Sequence, residues 1–79
     1  MEREEIFSAL QEIFEGLFGE GVPTLTDETT AQDVDGWDSL MHITMISEVE
    51  SRFDMRFSMK DVIGMKNVGE MVDLIEENV

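Results

Sequence analysis

Gly36-Trp37-Asp38-Ser39-Leu40-Met41-His42-Ile43-Thr44-Met45-Ile46-Ser47-Glu48-Val49-Glu50-Ser51-Arg52-Phe53 is the stretch that decides the fold. From Leu40 onward, apolar residues return at offsets of three and four: Leu40, Ile43, Ile46, Val49 and Phe53, with Met45 beside them. That spacing places one apolar stripe on an α-helix and excludes the alternation of a strand. The helix is expected from about Ser39 to Phe53, and Asp54-Met55 lead out of it.

Working outward, the same period appears upstream. Ile6, Leu10, Ile13 and Leu17 recur at helical spacing, and Phe7, Phe14 and Phe18 widen the stripe. Arg3, Glu4, Ser8, Gln11, Glu12 and Glu15 fill the opposite face. Gly19 and Gly21 mark the end of this first helix, and Pro23 prevents its continuation. From Gly21 to Asp38 no period is sustained. The segment is rich in Thr, Asp and Gly, and is long for a connection in a chain of 79 residues. Val22, Leu25, Ala31, Val34 and Trp37 are expected to pin it to the core, with a single helical turn at Thr26-Asp27-Glu28-Thr29.

Downstream, Ser58 with Asp61 three residues on resembles a capping box. A short helical turn is expected from Ser58 to Ile63, ended by Gly64. Asn67 is a good N-cap for a last helix, with Glu70 three positions on. Val68, Met71, Val72, Ile75 and Val79 form its apolar face. Met55-Arg56-Phe57 is too short to make a strand. The fold expected is all-α. It is a small helical bundle of three main helices plus one short helix, with a long loop between the first and second, in a single domain over residues 1–79.

Composition narrows the function. Without cysteine the chain has no disulfide, thiolate nucleophile or Cys-based metal site. Its only histidine, His42, cannot make a His-rich metal site. No apolar run approaches the ~20 residues of a membrane span, so no membrane insertion is expected. The acidic N-terminus Met1-Glu2-Arg3-Glu4-Glu5 is not a signal peptide, and a cytoplasmic monomer is expected. The chain carries 19 acidic and 5 basic side chains, net −14. Nucleic acid would be repelled, whereas partners with basic patches would be steered toward it.

Ser39 stands out against this background. At the start of a helix, free backbone N–H groups and the positive dipole end suit a phosphate, so a hydroxyl there is well placed to carry a phosphodiester. Enzyme chemistry lacks an inventory. His42 lies three residues after Ser39 on roughly the same face, yet no third residue orients it as a base. Asp33-Val34-Asp35-Gly36 faintly resembles an EF-hand loop. With Gly36 as its glycine, the first ligand falls on Ala31 and the last on His42, and the loop fails at both ends. The seven methionines suit soft core filler. Trp37 suits either a loop anchor on the core or a wall beside whatever Ser39 carries.

Gly36-Trp37-Asp38-Ser39-Leu40, followed by Ile43, Ile46, Val49 and Phe53, resembles the acyl carrier proteins. The order of elements, the length and the acidity agree over almost the whole chain. The resemblance implies that Ser39 is the attachment site of 4′-phosphopantetheine, moved there from coenzyme A by a phosphopantetheinyl transferase. The arm's terminal thiol would hold an acyl group as a thioester, for delivery to enzymes of fatty acid, polyketide or related biosynthesis. Asp38 would help the transferase recognise the site, and Leu40 would contribute to docking at the helix start. Met41, Ile43, Thr44, Ser47, Glu48 and Glu50 would face partner enzymes, the acyl-loading and acyl-transferring enzymes with basic or apolar docking patches. Trp37, Met45 and Ile63 are candidate contacts for the arm or its acyl chain. The carrier itself would not be an enzyme.

Two departures bear on the partners. Carriers of fatty acid synthesis usually have acids two and five residues after the serine, where this chain has Met41 and Thr44. Ser51 and Arg52 stand where that type often carries glutamates. Docking to a housekeeping fatty acid synthase is expected to be weakened, in favour of a specialised partner set. Gly36-Trp37-Asp38 fits an acyl carrier better than a peptidyl carrier, though an aminoacyl cargo stays open. The alternative from another class is a carrier-like adaptor that is never modified.

Overall fold

The computed structural model describes residues 2–79. Its four α-helices are α1 (Arg3–Phe18), α2 (Ser39–Phe53), α3 (Met59–Gly64) and α4 (Val68–Asn78), and a 3₁₀ turn spans Ala31–Asp33 in the long first connection. There is no strand among the described residues, so the expected all-α bundle of three main helices and one short one is what the chain forms.

Ser58 and Asn67 cap their helices as expected, accepting from the N–H groups of Asp61 and Glu70 at 3.0 and 2.8 Å. Asp38 also caps α2, accepting from the Met41 N–H at 2.8 Å, a role not expected from the sequence. Asp54, at φ 52°, turns the chain out of α2 in a left-handed conformation. α3 runs one residue beyond expectation, since Gly64 is its last residue rather than its stop.

Helix α1 packs against both α2 and α4. The fully buried side chains are Ile6, Leu10 and Phe14 from α1, Met45 and Val49 from α2, and Val68, Met71, Val72 and Ile75 from α4. Burial of each large apolar side chain contributes about 1.5–3 kcal/mol. The α1 stripe is rotated from the expected one: Ala9 and Phe14 are buried, while Ile13 and Leu17 are only half-buried. The α2 stripe needs a larger correction. Leu40 and Ile43 are 77% and 56% exposed, so the buried part of α2 begins at Met45. The first turns of α2 project past the end of the core, and α3 meets them only across a groove. α3 contributes no buried side chain at all.

The long connection is tied down mainly by polar contacts. Gln11 accepts from the Leu25 N–H at 2.9 Å and donates to the Pro23 carbonyl at 3.1 Å. The first two N–H groups of α4 donate back to the same connection, Val68 to Thr29 O at 2.8 Å and Gly69 to Asp27 O at 3.1 Å. Arg3, at the start of α1, spans Asp27, Asp73 and Glu76 with its guanidinium. The Asp27 carboxylate above all, with Asp73, raises the affinity of Arg3 for its proton. Thr26–Thr29 does not make the helical turn expected. The four residues close a single non-helical turn instead, with Thr29 N–H donating to the Thr26 carbonyl at 3.2 Å, and Thr29 Oγ1 accepts from the Thr26 N–H at 2.9 Å. Ala31 is exposed rather than pinned, whereas Leu25 and Val34 are buried.

Gly69 makes the closest approach in this arrangement. A Cβ there would lie 2.7 Å from the Asp27 carbonyl oxygen and 3.0 Å from Asp27 Cα. Gly69→Ala is therefore expected to cost about 1–3 kcal/mol, because rigid backbone must move. Gly16, inside α1 with open space around it, gives the opposite sign: Gly16→Ala is expected to gain about 0.5–1 kcal/mol. Urea denaturation of the two variants checks this, and equal midpoints would contradict the packing described.

Candidate functional site

Ser39 is the first residue of α2, exposed, directly after the Asp38 cap. Gly36 delivers the chain to this point at φ +91°, a conformation that favours glycine. Met41 N–H donates to the Asp38 carboxylate and His42 N–H to the Asp38 carbonyl at 2.8 Å. Among the described residues, the N–H groups of Ser39 and Leu40 have no acceptor. α4 differs, because its first two N–H groups are already bound to the long connection. The start of α2 thus keeps two backbone donors and its dipole free for an anion.

An open groove of about 470 Å³ lies beside Ser39. One side is formed by Trp37, Asp38, Ser39, His42 and Ile43, the other by Val62, Ile63 and the segment Met65–Asn67. Trp37 packs edge-on against Phe14, with ring centroids 5.1 Å apart, so it anchors the connection and also walls the groove. Its indole N–H donates to Nδ1 of His42 at 3.0 Å, and the two rings stack with centroids 5.9 Å apart. Nε2 of His42 lies 3.2 Å from the Val62 carbonyl oxygen. Both ring nitrogens of His42 are thereby engaged, and neither is left to act as a base toward Ser39.

Trp37, Asp38, Ser39, Ile43 and Ile63 therefore meet at one groove. Leu40 and Thr44 are exposed on the same helix, Met41 is half-buried and Glu48 is exposed further along. Met45 lies in the core with no exposed surface. Ser47 and Glu50 line a separate groove with Asp54, Met55 and Arg56. The Glu50 carboxylate accepts from the Phe57 N–H at 2.8 Å, so it also holds the α2–α3 connection. Sequence reasoning missed Val62, Met65, Lys66 and Asn67 as groove residues, and missed the link between Trp37 and His42. Their spacing of five spans a helix start and follows no helical period.

The comparisons show the family. A family model described as "Phosphopantetheine attachment site" matches residues 8–75. The chain is 36% identical over 72 residues to an acyl carrier protein of Streptococcus pyogenes serotype M3, covering 91% of this chain and 93% of the relative. It is 27% identical over 74 residues to an acyl carrier protein of Saccharopolyspora erythraea, covering 94% and 78%. The solution structure of a holo acyl carrier protein from Geobacter metallireducens superposes with a TM-score of 0.82 at 36% identity, covering 91% and 83%. The chain thus falls in the class of phosphopantetheine-bearing carriers. Within that class it belongs to the acyl carrier protein family, whose members hold acyl groups on phosphopantetheine, are not catalytic themselves and work with a phosphopantetheinyl transferase and biosynthetic enzymes. No helix of the described residues is long and apolar enough to cross a membrane.

The cap at Asp38 separates structure from charge. Asp38→Ala is expected to lower stability by about 1 kcal/mol, while Asp38→Asn keeps the acceptor and stays within a few tenths of the wild type. Chemical denaturation checks both, and an Asn variant as unstable as the Ala variant would show that the charge, not the cap, matters.

Proposed function

We propose that Ser39 carries the 4′-phosphopantetheine arm, and that the chain is one carrier domain over residues 1–79 working as a cytoplasmic shuttle. The observation that carries this reading is the start of α2. There an exposed hydroxyl, two unpartnered N–H groups and the Trp37 groove converge. An anion at this point is favoured by the helix dipole, typically by about 0.3–1 kcal/mol at an exposed site. Such an attachment site fits the family match, and the working thiol would be the arm's, since the chain has no cysteine. Incubation with coenzyme A and a broad-specificity phosphopantetheinyl transferase is expected to add one phosphopantetheine, read by intact mass. Ser39→Ala is expected to abolish the gain. An unmodified wild type with several transferases would instead favour the adaptor reading.

We further infer that the partners of this carrier belong to a specialised acyl pathway and dock partly on apolar surface. Leu40 and Ile43 on α2 and Met59 and Ile63 on α3 are all more than half exposed. The acids usual in fatty acid synthesis carriers are replaced by Met41 and Thr44. A basic docking patch would find little to pair with along this turn, whereas an apolar one would find exposed apolar side chains to cover. Fatty acid synthesis is the competing assignment for a member of the acyl carrier protein family. Met41→Asp combined with Thr44→Glu is expected to raise turnover by fatty acid synthase enzymes about five- to tenfold, the equivalent of two close charge contacts of ~0.5 kcal/mol each or more. Equal kcat/KM for the wild type and the double variant would refute the idea that Met41 and Thr44 weaken this docking.

A further inference from the structure

We propose that His42 is a positioning residue for the Ser39 groove, and that it holds the groove wall only as the neutral imidazole. The proposal rests on the reading of Ser39 as the attachment site. An indole N–H can only donate, so the 3.0 Å contact from Trp37 requires an unprotonated Nδ1 on His42. The ring proton then sits on Nε2 and is donated to the Val62 carbonyl oxygen at 3.2 Å. One imidazole therefore joins the residue two before Ser39 to α3 on the far side of the groove.

That link matters because the only side chain of α3 packed against the core is the half-buried Val62, with Phe57 and Met65 beyond its ends. α3 is six residues long, and no side chain of it is buried. Helices this short are marginal without tertiary support. The Val62 carbonyl is among the last four of its helix, which lack intrahelical donors. The N–H that would reach it by helical spacing, that of Lys66, donates to the Glu70 carboxylate instead. His42 supplies the missing donor.

Protonation of Nδ1 would set two donors face to face and break the Trp37 contact. The Nε2–H to Val62 would survive, strengthened by charge and by the C-terminal dipole of α3. The wall is thus released on the Trp37 side, next to Ser39, while α3 keeps its tie. The charged groups on the groove are Asp38, at the start of α2, and Lys66, between α3 and α4. α1 faces the Trp37 ring with the uncharged Phe14 and Phe18, and α3 lines the groove with Val62 and Ile63.

Trp37 is the only tryptophan, so its emission reports this contact directly in the apo-protein. His42→Gln keeps one acceptor and one donor but does not titrate. His42→Phe keeps neither. Wild-type emission is expected to change between pH 8 and pH 5 and that of His42→Gln to stay level. Superimposable emission profiles for these two proteins would overturn the clasp. The initial rate of phosphopantetheinylation, taken as the ratio of wild type to His42→Gln so that the transferase's own pH dependence cancels, is expected to fall about fivefold over the same range, the equivalent of one hydrogen bond. His42→Phe is expected to be slow at both pH values. A ratio independent of pH would overturn the positioning role. An intact emission response without any mass gain would sink the attachment reading of Ser39 while supporting the clasp.

Discussion

The whole arrangement depends on how the long connection between α1 and α2 is held. It has few apolar side chains to bury, and only Leu25 and Val34 reach the core fully. Its backbone is instead completed by other elements: Gln11 serves Pro23 and Leu25, and the first two N–H groups of α4 serve Asp27 and Thr29. This solves two problems at once, since the start of α4 would otherwise keep orphan donors and the connection would keep orphan acceptors. Gly69 is the enabling residue, because any side chain there would strike Asp27. With the connection fixed, Gly36 and Trp37 arrive at the start of α2 in a defined position. Among the described residues, that helix start keeps its first two N–H groups open, as α3 does at Met59 and Lys60, whereas the start of α4 is closed by the connection.

Charge works against the fold and is offset at one place. With a net charge of −14, like charges oppose compaction. Arg3 gathers Asp27, Asp73 and Glu76 from the connection and α4, and its guanidinium lies 5.6 Å from the centre of the Phe7 ring. Arg52 reaches Glu12 at 3.7 Å. Among the described residues the other three cations, Arg56, Lys60 and Lys66, form no ion pair, and all three lie between the end of α2 and the start of α4. Of these three, Lys66 lies on the Ser39 groove, whereas Arg56 lies beside the end of α2 with Glu50 and Asp54.

The helices and the caps of α3 and α4 were legible in the sequence because short-range rules govern them. Ser58 and Asn67 cap where side-chain chemistry says they should, and the family resemblance settled the order of elements. What was not legible is which turns of each helix the core reaches. Leu40 and Ile43 continue the period of Ile46 and Val49 without a break, yet they lie past the end of the core. Periodicity specifies a face of a helix, not how far along it the packing extends. The site was half legible for a similar reason. Ser39 is announced by its position at a helix start, while His42 gains its role only from Val62, twenty residues away and across a groove. Sequence spacing carries no information about such a contact.

The core offers no slack to whatever is carried beside it. Nine large side chains from α1, α2 and α4 are fully buried, and interiors packed this way do not yield a volume without displacing atoms. α3 is different, having no buried side chain, three exposed or half-exposed apolar residues in Met59, Val62 and Ile63, and polar ties at its two ends. Elements with few buried contacts open at the lowest free energy. Movement of α3 or of Trp37 is therefore the lowest-cost way to enlarge the groove. His42 bonds to both, so a single side chain ties the two walls beside Ser39 through two hydrogen bonds.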